Sequence, residues 1–264
     1  MKKVVLLFFI PLIIISQNEQ KLIFDGIDDY VEIPSSDTFD NMIDEITISS
    51  WIKINEDWSE DGTVVARRNF LGNPMGERHH FQLYITPERS LAFSTQNNQN
   101  NELYTAQLTS GTGQVNTDCW HYITATFKNG LVRLYVDGIL ISENDFGYRE
   151  MFPINHWVNF GRVHRTGGTP FFSEFNGEVF NIEIWQEELT IEDIQYNMYT
   201  YPTGNESNLV GYWDFNTGQA QDLTPNNNNG VIYGAGSLST AIPQICQPGC
   251  LDPTACNYNL EATE

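Results

Sequence analysis

Residues 119–141, CWHYITATFKNGLVRLYVDGILI, constrain the fold more than any other stretch of this chain. Ile123, Ala125 and Phe127 alternate with Tyr122, Thr124 and Thr126, the period of a strand with two distinct faces. Lys128-Asn129-Gly130 then turns the chain, because Asn and Gly accept the positive φ of a tight hairpin. Residues 131–136 run back, and Asp137-Gly138 turns the chain again into Ile139-Leu140-Ile141. The pattern predicts a β-meander.

The same alternation recurs along the chain. In residues 46–54, Ile46, Ile48, Ile52 and Ile54 share one face, and Thr47, Ser49, Trp51 and Lys53 share the other. A tryptophan on the second face predicts that this face is covered too, as in a two-sheet sandwich. Further strands are expected in residues 22–33 (two short pieces), 63–66, 80–85, 90–94, 104–108, 157–163, 175–185, 209–215 and 231–233. Residues 69–76 and the Asn/Gln-rich 96–102 read as loops, and 143–155 as irregular. One helix is expected, in LTIEDIQYNMY, with Thr190 as its cap and Asp193 as an imperfect capping-box partner. Many short strands and one short helix predict an all-β, antiparallel two-sheet sandwich. Spacing leaves open which one.

The chain of 264 residues carries a formal net charge of −21, with a pI near 4.4. That argues against nucleic acid or an anionic membrane as partner, since both need basic surface. Lys2-Lys3 followed by an apolar run to Ile15, too short to span a bilayer, reads as a targeting segment over residues 1–16. The expectation is a secreted or cell-surface protein with no membrane span once that segment is removed. Cys119, Cys246, Cys250 and Cys256 are compatible with disulfides there, with connectivity left open.

The words "WHYITATF…G…RLYVDG" resemble the central hairpin of the laminin-G-like and pentraxin-like jelly rolls of the concanavalin-A-like superfamily. LIFDGIDDYVEIPSS, ITISSWIKI, VNFGRV, FNGEVFNIEIWQEELTIEDI and LVGYWDFNTG are similar to further segments of those modules, in the same order. The resemblance implies a jelly roll over residues 20–240, with Trp51, Trp120, Trp185 and Trp213 at core positions. GCLDPTACNYNLEATE, within residues 241–264, is similar to a cysteine-containing repeat of exported bacterial surface proteins, cut short.

Glycoside hydrolases of the superfamily carry E-x-D-x-E on one strand, which sets two carboxylates on one face for acid–base work. The nearest match is Glu183-Ile184-Trp185-Gln186-Glu187, where Trp185 stands in place of the middle acid. Glu178 and Glu183 differ by an odd number, so a regular strand puts them on opposite faces. The expectation is a protein that is not an enzyme.

The pentraxin calcium loop matches residues 161–165, which hold no carboxylate. There, His80 and His164 are expected to face each other, as a transition-metal pair or as hydrogen bonders to a ligand. A separate structural calcium site is expected where the first and last strands of a jelly roll meet. Asp25, Asp28 and Asp222 would be its ligands, with turn residues and solvated charges as the alternative. For ligand binding, Trp58, Tyr148 and Trp157 supply aromatic faces, and Arg67, Arg78, His80, Arg162 and His164 supply polar groups. Rings stacked on sugar with arginines fixing hydroxyls would make a carbohydrate site. The expected function is therefore noncatalytic recognition or adhesion, with a glycan, a glycosylated surface or another surface protein as partner. The alternatives are a structural spacer or protein–protein adhesion domain without a sugar site, and a hydrolase with its acids in loops.

Overall fold

A computed structural model of the chain describes residues 19–55, 60–70, 77–99, 102–117, 119–152, 154–165, 173–240 and 243. The expected targeting segment, the cysteine-rich tail and Trp58 lie outside the described residues.

The chain opens with β1 (Glu19–Asp25), β2 (Tyr30–Ile33), a one-turn helix α1 (Asp37–Asp40) and the long β3 (Glu45–Ile54). A first meander follows: β4 (Gly62–Phe70), β5 (Glu77–Ile85), β6 (Leu91–Gln99) and β7 (Glu102–Thr109). The second is β8 (Trp120–Lys128), β9 (Leu131–Val136) and β10 (Ile139–Asp145). Then come β11 (Val158–Phe160), β12 (His164–Arg165), β13 (Asn176–Trp185) and helix α2 (Ile191–Tyr199). β14 (Leu209–Trp213), β15 (Val231–Tyr233) and β16 (Gly236–Thr240) close the fold.

Two sheets form. Sheet A runs β10-β9-β8-β3-β13-β1-β16, with β14 also on β13. Sheet B runs β15-β2-β11-β4-β5-β6-β7, with β12 on β4. All pairings between these strands are antiparallel except β12 with β4. The result is a two-sheet sandwich of the jelly-roll kind.

Both expected tight turns are present. Lys128 pairs with Leu131 and Val136 with Ile139, leaving two-residue loops. Asn129, Gly130, Asp137 and Gly138 all have positive φ, which matches the right-handed twist of the flanking strands. Gly130 admits no side chain at all, since a Cβ there would lie 1.8 Å from the Gly147 carbonyl oxygen.

The inner faces of both sheets bury a single apolar core, which includes Ile46, Ile48, Ile52 and Ile54 from β3 and Ile123, Ala125 and Phe127 from β8. The other face of sheet A is buried as well. Trp51, Tyr122, Phe180 and Trp185 pack there against Ile194 and Met198 of α2. The Trp51 indole donates to the Met198 carbonyl at 3.2 Å. The capping box of α2 is complete: Thr190 Oγ1 accepts from the Asp193 amide, and the Asp193 carboxylate accepts from the Thr190 amide. Trp213 is fully buried in the main core, while Trp120 is partly buried against the second cluster.

Three expectations change. The Asn/Gln stretch is strand rather than loop over residues 96–99, because β6 runs through Gln99. Cross-strand pairs such as Gln96 with Thr105 and Asn97 with Tyr104 hold it extended against its weak strand propensity. Among the described residues there are two helices rather than one, since α1 adds a single turn. Glu178 and Glu183 lie on the same face of β13, not opposite ones. A bulge between Val179 and Asn181 inserts Phe180, so Glu178 pairs with Lys53 and Glu183 with Ser49.

Candidate functional site

The outer face of sheet B carries polar side chains where the outer face of sheet A carries aromatics. Glu32 of β2 pairs with Val231 on one side and Asn159 on the other, and Asn159 pairs with Ala66. Ala66 pairs with Gln82, Gln82 with Ser94, and Ser94 with Gln107. Directly paired residues share a face, so these residues form one line across seven strands. The line is exposed at Val231 and Gln107, half-buried at Glu32 and buried from Asn159 to Ser94, with Asn159 at 0% and Gln82 at 1% exposure. Their sequence neighbours, among them Val31, Phe160, Leu83 and Phe93, point into the core.

Among the described residues, two side chains on this face lack any hydrogen-bond partner, and the Nε of Arg162 is also buried without one. Both amide atoms of Asn159 and both ring nitrogens of His79 are buried without a hydrogen bond. His79 stands opposite Arg68, on the face that Ala66 and Gln82 share. Burial, helped by the charges of Arg68 and His80, pulls its pKa down to about 3, so the ring is neutral and offers one donor and one acceptor. Each buried polar group left unmet costs about 1–3 kcal/mol. Gln82, by contrast, donates to Thr63 Oγ1 at 2.7 Å and accepts from Arg68.

Arg162 sits over the Tyr30 ring, 3.0 Å from its centroid, with Glu32 at 3.7 Å. Tyr30 stacks on Tyr233 at 4.5 Å. Arg67 points inward and has no exposed surface. It donates to the His156 carbonyl at 3.2 Å, to Ser35 Oγ at 3.1 Å and to Asp40. His80, also fully buried, is the extra residue of a bulge opposite Arg67 and Arg68. Its Nε2–H donates to the Met42 carbonyl at 2.6 Å, and its Nδ1 lies 3.1 Å from Arg67 Nη1, which donates to it.

His164 does not meet His80. Its partner is His156, with ring nitrogens 3.0 Å apart, and Trp157 stacks on His156 and meets His164 edge-on at 5.0 Å. Trp157 is 40% exposed, so these three rings form an aromatic rim beside Arg67. Tyr148 is 69% exposed after β10, where its hydroxyl donates to Glu150. The Arg78 side chain lies outside the described residues, although its backbone pairs with Asn69.

Among the expected metal ligands, Asp25 and Asp28 come together with Asp29. One carboxylate oxygen of each lies within 4.8 Å of the others. Asp222 is not in that group. It accepts from the amides of Tyr212, Thr224 and Asn228 and from the Thr224 hydroxyl, which braces the loop after β14.

An open cleft of about 540 Å³ adjoins the β15 end of the polar line, sharing Val231 with it. Gln219, Gln221 and Asn229 supply its polar lining. Sequence reasoning reached Trp157, Arg162 and His164 through their loops but missed Asn159, Gln82 and Ser94. The signal was a polar residue at each second position of otherwise apolar strands, as in Val158-Asn159-Phe160 and Phe81-Gln82-Leu83.

Two packed antiparallel sheets with this strand order define a lectin-type jelly roll. Residues 25–195 match the family described as the concanavalin A-like lectin/glucanases superfamily (Laminin_G_3), and the chain belongs to it. No curated protein matches the chain. Among solved structures, it is similar to a candidate carbohydrate binding protein from Bacteroides ovatus ATCC 8483 (15% identity, TM-score 0.60, 85% of this chain and 61% of that one). The chain thus spans under two thirds of that protein. It is also similar to a heptameric SAP-like pentraxin from Limulus polyphemus (13% identity, TM-score 0.55, 88% of this chain and 99% of that one). A third is the CBM40 of the Ruminococcus gnavus IT-sialidase, bound to α2,3-sialyllactose (17% identity, TM-score 0.52, 68% of this chain and 97% of that one).

Proposed function

We propose that this chain is a noncatalytic carbohydrate-recognition module of an exported or cell-surface protein, binding through the outer face of sheet B. The observation that carries the reading is the polar line of Glu32, Asn159, Gln82 and Ser94, with Asn159 and the neighbouring His79 left without partners. A sugar hydroxyl donates and accepts, which is the chemistry these two side chains lack. The exposed Trp157 at the rim offers an apolar face for a ring. The carbohydrate binding named for the Bacteroides and Ruminococcus proteins agrees with this reading at the level of fold.

Export rests on Lys2-Lys3 and the apolar run behind them. The buried Cys119 suits a disulfide in an oxidising compartment. Among the described residues no helix is long and apolar enough to cross a membrane. Noncatalytic action fits the state of the two glutamates now on one face. Glu178 is paired with Lys21, and Glu183 is fully buried on the face that α2 packs against.

The test is a glycan array probed with the whole chain and with His79→Ala and Asn159→Ala, each checked for folding by circular dichroism. The expected result is binding to one glycan class by the parent and at least about tenfold weaker binding by both variants, a loss matching one or two missing hydrogen bonds. A folded parent that binds no glycan defeats the reading. Repeating the array with a calcium chelator shows whether the acids at Asp25, Asp28 and Asp29 take part. A protein–protein adhesion module is the second reading. It is favoured by Ile139 and Leu140, exposed at 65% and 43% on the edge strand β10.

A further inference from the structure

Building on the carbohydrate reading, we infer that the face of sheet B takes an uncharged, hydroxyl-rich sugar in preference to one that bears a carboxylate. The argument is one of charge already committed. Arg162 is held between the Tyr30 ring and Glu32. Arg67 lies inside the fold against Asp40, and Arg68 donates to the Gln82 side chain and interacts with Asp61. Among the described side chains of this face, each arginine is therefore balanced or engaged before a ligand arrives.

Apart from Arg162 Nε, whose guanidinium is set against Glu32, the unmet groups of this face are neutral. Asn159 offers an amide donor and a carbonyl acceptor, and the uncharged His79 offers one of each. The adjoining cleft of about 540 Å³ is lined by Gln219, Gln221, Asn229, glycines and apolar residues, with no ionisable side chain. Its size is that of a small-ligand site. Carboxamides and a neutral imidazole match vicinal hydroxyls and N-acetyl groups; they do not neutralise an anion.

The one ionisable member of the line has the wrong sign for an acidic sugar. Glu32 stands directly opposite Asn159, so a sugar carboxylate bonded to Asn159 would face it. At longer range, a chain of formal charge −21 repels an anionic glycan before contact. An acidic ligand would need a free cation to offset both effects, and burying a charge without one is strongly unfavourable.

Calorimetric titration of the whole chain with matched pairs tests this: lactose against sialyllactose, and a neutral glucan disaccharide against its uronic-acid counterpart, together with the best glycan from the array and a carboxylated derivative. The expected result is that the neutral member of the bound pair binds at least about tenfold tighter. Its affinity should change less than about twofold between low and high salt, because no ion pair is formed. Equal or tighter binding of the acidic member, weakening as salt is added, overturns the inference and leaves the carbohydrate reading standing. If no member of any pair and no glycan on the array is bound by the folded chain, the carbohydrate reading itself fails, and this inference with it.

Discussion

The outer faces of the two sheets are built from the same alternation and come to opposite ends. On sheet A, Trp51, Tyr122, Phe180 and Trp185 meet Ile194 and Met198 of α2 in a second core. The one carboxylate buried there, Glu183, accepts from Tyr122 Oη, Asn181 Nδ2 and Trp185 Nε1, all at 3.2 Å. On sheet B the same kind of burial covers polar side chains, and His79 and Asn159 find nothing to bond. Among the described residues, the outer face of sheet A leaves a single buried polar atom unmet, the Thr126 hydroxyl, and its other buried polar groups serve the fold. A face that leaves such groups unmet carries a cost to the fold that a ligand can relieve.

Mutations can break this contrast. The largest effect is expected at Trp51→Ala, which removes the centre of the second core and its bond to Met198. Guanidinium unfolding should show a loss of about 3–5 kcal/mol, and a smaller loss would mean that α2 adds little to the closure of sheet A.

Paired substitutions sharpen it. Asn181→Leu removes an acceptor for the Trp51 amide and a donor to Glu183, so it should cost roughly 1–3 kcal/mol. Asn159→Leu, of similar size on the other sheet, removes only unmet groups. It should leave stability unchanged or raise it by about 1 kcal/mol, while abolishing glycan binding. Equal destabilisation by the two changes would erase the distinction between the faces.

Glu183 adds a pH signature to sheet A. Burial lifts its carboxyl from 4.5 to about 8, against the pull of its three donors. The folded protein therefore holds this proton more tightly than the unfolded chain. The associated stability is complete below about pH 4.5 and is lost as pH rises through about 8. Glu183→Gln should flatten the fall in melting temperature across that window, and an unchanged slope would assign the fall to other groups. The smallest effect is expected at Thr190→Ala, which opens the capping box of α2 and should cost about 1 kcal/mol with no change in ligand binding.

Much of the frame was legible in the residues. Asn129-Gly130 and Asp137-Gly138 announced their turns because few other residues accept positive φ. Thr190 and Asp193 announced the start of α2, and Trp51 on the second face of β3 announced that sheet A is covered twice. The site was less legible. Arg67 and His80 were chosen for their chemistry as residues near loops, yet they lie on β4 and β5 with no exposed surface. Asp222 was grouped with Asp25 and Asp28 because first and last strands approach. They do, through β1 with β16 and β2 with β15, but Asp222 is occupied within its own loop.

What a chain states locally is the parity of each strand, the chemistry of each turn and the cap of each helix, since these depend on neighbours a few residues away. Which residues stand side by side across strands is a matter of register. Glu32, Asn159 and Ala66 meet only because β11 inserts between β2 and β4, far from both in sequence. Bulges then shift parity without a local sign, as at Phe180, where one extra residue moved Glu183 onto the face of Glu178. Local preferences therefore set the strands and turns, while the polar line, and with it the candidate site, exists only once distant strands have settled into register.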